Sequence, residues 1–162
     1  MSYQRILVPV DGSPTATKGM GEAISLAKES GAKLLLLHIV DEYPAFATPE
    51  IGASIGPLID ALRESGRQTL AGIAAVAKAA GVNPETELVE NFGQRVAEAI
   101  VDKAVGWKAD LIVMGTHGRR GITRALVGSD AELVVRYSPI PVLLVPPEGR
   151  RAAAKYSGLS VR

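Results

Sequence analysis

The sequence contains no cysteine, which excludes disulfides, thiolate metal sites and thiol catalysis together. Aromatic residues make up only 4%, so the core must be built from Ala, Val, Ile and Leu. No aliphatic run approaches the ~20 residues that cross a bilayer, and the first residues lack the basic and apolar regions of a secretory signal. The 18 Lys and Arg residues are nearly balanced by 17 Asp and Glu, which is less basic than a dedicated nucleic-acid binder. These absences predict a soluble cytoplasmic protein that binds neither membranes nor nucleic acid.

The size and composition suit one globular domain. The chain has 162 residues, of which 47% are hydrophobic and 22% charged, values typical of a folded domain with a single core. Residues 148–162 lack a periodic apolar face and carry four basic residues against one acid. We therefore expect a domain over residues 1–147 followed by a flexible, basic C-terminal tail.

Apolar runs and helical spacings alternate along the chain. Five short aliphatic or β-branched runs predict strands at residues 5–10, 33–40, 85–91, 110–114 and 141–145. Helices are predicted after Ser13 and Pro14, ending at Gly31, and over residues 58–80, 94–105 and 129–137. Residues 41–57 form a long connection with three prolines, typical of a lid over a site. The alternation predicts an α/β fold: one doubly wound domain with a parallel sheet covered by helices on both faces.

The loop after the fourth strand carries the strongest functional signal. It reads G-x2-G-x9-G-S through Gly115, Gly118, Gly128 and Ser129. Glycines let main-chain N–H groups approach a ligand, and a helix that begins at Ser129 offers unpaired donors to an anion. The loop also holds three arginines, a residue type that grips phosphate: Arg119, Arg120 and Arg124. We interpret the segment as a phosphate-binding loop, although tight turns and a solvated basic surface would also account for these residues.

A second loop follows the first strand and lies at the same end of a parallel sheet, where such folds bind ligands. It contains Pro9, Val10, Asp11, Gly12 and Ser13. The Asp11 carboxylate would accept hydrogen bonds from a ribose or an adenine amino group, or would satisfy the backbone of its own turn. Neither a Walker loop nor a G-x-G-x-x-G fingerprint occurs in the sequence.

Four segments together resemble the universal stress protein family, in its nucleotide-binding branch. They are ILVPVDGS at residues 6–13, LLLLHIV at residues 34–40, the spaced glycine motif, and SPIPVLLVP at residues 138–146. The resemblance covers roughly residues 3–146. It implies a five-stranded parallel sheet in the order 3-2-1-4-5, ATP binding and frequent homodimers.

The resemblance also implies which residues meet the nucleotide. Adenine and ribose would be met by Pro9, Asp11 and the backbone of Ile39, with Val10 in the same loop. The sugar would be lined by Met114, Gly115 and Thr116, and the phosphates held by His117, Gly118, Arg119, Gly128 and Ser129. Family members commonly carry a small or apolar residue after Gly-Ser, whereas this chain has Asp130, which would either repel phosphate or help to hold a bridging Mg²⁺. No catalytic residue is assigned.

We therefore predict a regulatory module that binds ATP with Mg²⁺ and orders the 41–56 loop on binding. One alternative is a slow ATP hydrolase or nucleotidyl transferase in the same cleft, with His117 assisting. Another is an FMN carrier, for which Tyr43 and Phe46 are the nearby aromatic residues. Two histidines without cysteine do not make a metal site of their own, so a metal would arrive with the phosphates.

The two predicted edge strands differ in chemistry. The third strand, ETELVEN, is rich in carboxylates, whereas the fifth, PVLLV at residues 141–145, is apolar and would leave an adhesive edge. This contrast predicts a homodimer across the fifth strand, although neighbouring prolines at 139, 141, 146 and 147 would also guard that edge. Protein partners are not specified by the sequence. His38, at the end of the second strand, is predicted to be a satisfied core or rim residue, and Trp107 to pack at the end of the third helix.

Overall fold

The structure, a computed structural model, describes residues 2–41, 55–116 and 127–147. Its five strands are β1 (Arg5–Pro9), β2 (Lys33–Asp41), β3 (Glu85–Asn91), β4 (Leu111–Gly115) and β5 (Val142–Val145). Its helices within these ranges are α1 (Pro14–Ser30), α2 (Ile55–Ala79), α3 (Val96–Gly106) and α4 (Ser129–Tyr137). None of these helices is both long enough and apolar enough to traverse a bilayer.

The strands form one parallel sheet in the order β3-β2-β1-β4-β5, which confirms the predicted doubly wound fold. β1 lies at the centre, where Ile6 is paired with Leu34 of β2 and with Leu111 of β4. The order reverses between β1 and β4. Ligand clefts in such sheets lie at this reversal, beyond the carboxyl ends of the strands.

The alternating side chains of the strands build two separate cores. On one face, Ile6, Val8 and Leu36 pack against α1 and α2. On the other face, Leu7 and Leu35 pack against α3 and α4. Because successive residues of a strand point to opposite faces, a strand buried on both faces is mostly apolar, as β1 and β2 are apart from their polar end residues and His38.

Most predicted boundaries hold within one or two residues, and the differences have local causes. β5 begins at Val142 because Pro141 has no N–H to donate, although the Pro141 carbonyl accepts from the Ile112 N–H at 2.9 Å. α2 begins at Ile55 rather than at Leu58, since Pro57 is tolerated in a first turn whose N–H groups lack helical partners. α3 begins at Val96 rather than at residue 94 because Arg95 is its N-cap.

Further small shifts affect three strands. β1 ends at Pro9, so Val10 lies just outside it, and β2 extends to Asp41. β4 runs from Leu111 to Gly115, one residue later than predicted at each end. β3 and α4 have the predicted bounds.

The amino ends of the strands are fixed by polar contacts. The Asp110 carboxylate accepts from the N–H of Gln4 at 2.7 Å and of Arg5 at 3.0 Å. The Arg5 guanidinium lies 4.1 Å from the centre of the Trp107 ring and donates to the Trp107 carbonyl. Trp107 is the C-cap of α3, as predicted. These contacts tie the start of β1 to the segment between α3 and β4.

Candidate functional site

The turn between β1 and α1 is held by its own side chains. Asp11 Oδ1 accepts from the Ser13 N–H at 2.9 Å, and Gly12 adopts a φ of 79°. Ser13 is the N-cap of α1, with its hydroxyl 3.2 Å from the Ala16 nitrogen. The predicted turn role of Asp11 is therefore confirmed, and the turn fixes the direction of a half-buried carboxylate at the strand end.

The residue before this turn is anchored to β2. The Val10 N–H donates to the Leu37 carbonyl at 2.8 Å, and the Val10 carbonyl lies 2.8 Å from His38 Nδ1. The Val10 side chain is 3% exposed and packs in the core under α1 and α2. Val10 therefore contributes to the site by carrying Asp11. His38 is buried in the sheet, as predicted.

The end of β4 lies directly against the first turns of α1. A Cβ placed on Gly115 would lie 2.8 Å from the carbonyl carbon and the Cβ of Thr15. One turn further along α1, a Cβ on Gly19 would lie 3.3 Å from the Gly115 nitrogen and 3.4 Å from the Met114 carbonyl carbon. The absence of side chains at both glycines thus allows the β1–α1 and β4 segments to touch.

The start of α4 is joined to the same strand end. The Thr116 N–H donates to the Val145 carbonyl at 3.0 Å, and the Gly128 N–H donates to the Thr116 carbonyl at 2.6 Å. Gly128 is the N-cap of α4, and Ser129 is exposed in its first turn. The first N–H groups of an α-helix have no acceptors within it, so this terminus favours an anion.

Three of the predicted contact residues share one face of the sheet. Ile39 and Met114 pack on the side covered by α3 and α4, and strand alternation places Pro9 on that side, because Leu7 lies there. Pro9 and Ile39 are half-buried, whereas Met114 is 7% exposed. The described site residues thus gather at the carboxyl ends of the three central strands.

Several predicted residues lie outside the described ranges. These are His117, Gly118 and Arg119 of the phosphate loop, its arginines 120 and 124, and the lid residues 42–54 with Tyr43 and Phe46. Their roles stay predictions.

Asp130 lies with Glu132 in the first turn of α4, so two carboxylates accompany a helix terminus that otherwise attracts anions. Within the described ranges, no cluster of three His, Cys, Asp or Glu side chains is arranged to hold a metal ion. A role for Asp130 in holding Mg²⁺ stays a prediction.

Two open grooves mark the surface of the described residues. One of about 460 Å³ adjoins the β1–α1 turn and is lined by Gly12, Pro14, Thr15, Thr17, Lys18 and Pro147. A larger one, of about 540 Å³, lies between α2 and β3, away from the reversal of strand order. We place the candidate site by the converging strand ends rather than by groove size, because the reversal is where this fold binds ligands.

Sequence reasoning missed the small residues that bring the segments together. Thr15 and Gly19 are four residues apart on α1 and face β4. Their spacing on one face of a predicted helix was the available signal. Their contact partner Gly115 is about a hundred residues away in the sequence, so the contact could not be predicted from local sequence patterns.

The universal stress protein family model matches residues 2–146. A universal stress protein of Methanocaldococcus jannaschii is 38% identical over 143 residues, which cover 88% of this chain and 82% of that protein. The solved structure of the universal stress protein UspA from Lactobacillus plantarum is similar with a TM-score of 0.79 at 29% identity, over 90% of this chain and 99% of the other.

Two further solved structures contain nucleotides. A universal stress protein in complex with cAMP is similar with a TM-score of 0.62 at 28% identity, over 90% of this chain and 98% of the other. A universal stress protein from Archaeoglobus fulgidus, in complex with dAMP, is similar with a TM-score of 0.65 at 25% identity, over 90% of this chain and 99% of the other.

Proposed function

The chain belongs to the universal stress protein family, and from that membership we propose that it is a regulatory module that binds an adenine nucleotide, ATP with Mg²⁺, at the carboxyl ends of β1, β2 and β4. The nucleotides in two structural neighbours, cAMP and dAMP, both carry adenine and support this ligand class.

The observation that carries the proposal is the junction of three segments at the reversal of strand order. Gly115 lies under Thr15, and Thr116 is bonded to both Val145 and Gly128. The turn that bears Asp11, the end of β4 and the amino end of α4 therefore belong to one continuous surface. That surface offers a carboxylate that accepts from hydroxyl or amino groups and a helix terminus whose N–H groups donate to phosphate, which are the acceptor and the donors that a nucleotide needs.

The proposed roles are those that the resemblance to the family implies for these residues. Pro9, Asp11 and the Ile39 backbone take adenine and ribose, supported by Val10. The sugar lies along Met114, Gly115 and Thr116. Gly128 and Ser129 hold phosphate, together with His117, Gly118 and Arg119. When bound, Mg²⁺ would neutralise phosphate charge beside Asp130.

Calorimetric titration with ATP and Mg²⁺ tests the proposal. We expect Asp11→Ala to weaken binding by roughly tenfold or more, because it removes a charged hydrogen-bond acceptor that the turn holds in place. Asp102→Ala, which removes an exposed carboxylate from α3, is the matched control and should not change the affinity. If titration with ATP, AMP or cAMP at millimolar concentration gives no binding heat, and none of them competes with another nucleotide for the protein, nucleotide binding is refuted.

A second variant tests the phosphate end. Gly128 has φ −60° and ψ 154°, a conformation open to any residue, so Gly128→Val adds bulk without forcing the backbone. We expect it to weaken ATP binding more than adenosine binding. Equal loss for both ligands would mean that the residue does not face phosphate.

Asp130→Asn separates the two roles open to Asp130. If its carboxylate helps to hold Mg²⁺, the variant should reduce the gain in ATP affinity that Mg²⁺ produces. If it repels phosphate, the variant should bind metal-free ATP more tightly. The proposed Mg²⁺ role fails in the second case.

We also propose a homodimer across β5. This strand pairs with β4, and its Leu143 is 38% exposed. Val135 and Tyr137 on the neighbouring α4 are also exposed. Light scattering should give twice the chain mass for the natural sequence and the single mass for Leu143→Glu. Val76→Glu, at an exposed apolar position on α2, should remain dimeric.

The domain is proposed to comprise residues 1–147. A chain that ends at Pro147 should therefore unfold cooperatively and bind ATP with unchanged affinity. A loss of binding on this truncation would assign the tail a part in the site.

A further inference from the structure

The His38 ring occupies a narrow space between three elements. The side chain is 5% exposed and lies on the sheet face that α2 covers. A Cβ on Gly66 of α2 would lie 2.7 Å from His38 Cδ2, 3.0 Å from Nε2 and 2.8 Å from Leu88 Cδ1 of β3. Only a glycine at this point of the helix leaves room for the ring without displacing it.

The ring is connected to the site through Val10. Its Nδ1 lies 2.8 Å from the Val10 carbonyl. A carbonyl oxygen only accepts, so Nδ1 carries the hydrogen and donates. The same donor is present in the neutral and the protonated ring, so this bond does not depend on the charge of His38. The Val10 carbonyl is part of the Val10–Asp11 peptide plane. The orientation of that plane therefore determines the position of the Asp11 backbone.

We propose that His38 is a positioning residue for the candidate nucleotide site: its Nδ1–H holds the Val10–Asp11 peptide, and Gly66 admits the ring that does so. The inference rests on the proposed function, which assigns Asp11 a contact with the ligand. His38 itself acts through Val10 and not on the nucleotide.

The side chain and the backbone of Asp11 are thus fixed from opposite directions. The Ser13 N–H holds the carboxylate, and His38 holds the preceding peptide. Loss of one neutral hydrogen bond of this kind changes a free energy by an amount that corresponds to roughly a three- to tenfold change in affinity.

The test compares four variants of the full chain. His38→Leu removes the donor and keeps the bulk. His38→Asn retains an N–H near the position of Nδ1 and should rescue. Gly66→Ala pushes the ring from the α2 side, and Gly72→Ala, at a position on the same helix with no atom within 4 Å of the added Cβ, is its control.

Two measurements are made on each variant. Calorimetry with ATP and Mg²⁺ should show His38→Leu and Gly66→Ala weakened roughly three- to tenfold, with the other two variants within about twofold of the natural chain. Amide resonances of residues 11–13, recorded without nucleotide, should shift in the two weakened variants and return in His38→Asn. Thermal unfolding is recorded so that lost stability is not mistaken for lost affinity.

Each outcome decides the inference. A lower melting temperature with unchanged affinity and unchanged amide resonances would make His38 a packing residue and overturn the proposal, as would failure of His38→Asn to rescue. If His38→Leu does not fold, the comparison of Gly66→Ala with Gly72→Ala decides. If the natural chain binds no nucleotide, the proposed function fails, and the amide shifts still decide whether His38 positions Asp11.

Discussion

Helix α1 contains two glycines that differ only in their surroundings, and this difference gives a sharp prediction. A Cβ on Gly21 would meet no atom within 4 Å, whereas a Cβ on Gly19 would lie 3.3 Å from the Gly115 nitrogen. Alanine in a helix interior is favoured over glycine by roughly 0.8–1.0 kcal/mol. Gly21→Ala should therefore raise the free energy of unfolding by about 1 kcal/mol.

At Gly19 the same gain is opposed by overpacking. The neighbouring atoms belong to the backbone at the Met114–Gly115 peptide, which cannot rotate away as a flexible side chain can. Overpacking of a dense interior costs typically 1–3 kcal/mol. The net effect of Gly19→Ala should lie between about zero and a loss of about 2 kcal/mol, after the gain in helix propensity is subtracted.

Urea unfolding followed by the fluorescence of Trp107, the single tryptophan, measures both variants. The expected gap between them is about 1–3 kcal/mol, which corresponds to several degrees in melting temperature for a domain of this size. Equal stabilisation by both substitutions would refute the close approach of α1 to β4, and with it the junction on which the proposed site depends.

Three further substitutions test local features of the fold by urea unfolding. Ser13→Ala should cost about 1 kcal/mol because it removes the N-cap of α1, whereas Ser25→Ala within the same helix should not. Lys108→Gly should gain about 0.5–1 kcal/mol, since Lys108 adopts a φ of 58° that favours glycine, and a loss would show that the residue is not strained. The Arg63 side chain hydrogen-bonds Glu90 and holds the pKa of that carboxyl below its ordinary value of 4.5. The pair therefore stabilises the fold above pH 4.5, and this contribution is lost as the pH falls through the lowered pKa of the folded state. Glu90→Gln should therefore be less stable than the natural chain at pH 7 and differ less from it at pH 3, and a constant difference would contradict the pKa shift.

The sequence predicted the fold well because its strands are readable one at a time. β1 and β2 are apolar at nearly every position, and only a strand covered on both faces needs that pattern. Gly31 ends α1 with a φ of 71°, and Ser13 with Pro14 begins it, so local chemistry set those boundaries. The strand order was implied by family resemblance and not by any of these patterns.

The residues of the candidate site could be proposed from the sequence, but the contacts within the site could not. Asp11 and the glycines were singled out from their places after apolar strands. The contacts of Thr15 with Gly115 and of His38 with Gly66 join segments far apart in sequence, and each depends on a missing side chain. Such contacts arise only when the helices have docked, which no local pattern encodes.

The two borders of the sheet have different consequences for assembly. On β3, Glu90 is bonded to Arg63 of α2, Glu87 to Lys103 of α3, and Glu85 to the Trp107 indole. These side chains contact the helices on both faces of the sheet and line the edge strand with carboxylates. A charged edge strand disfavours pairing with a strand of another chain. In a dimer joined through β5, both outer edges of the combined sheet would be β3 strands. Assembly would therefore stop at two copies, and the apolar β5 edge would not lead to fibres.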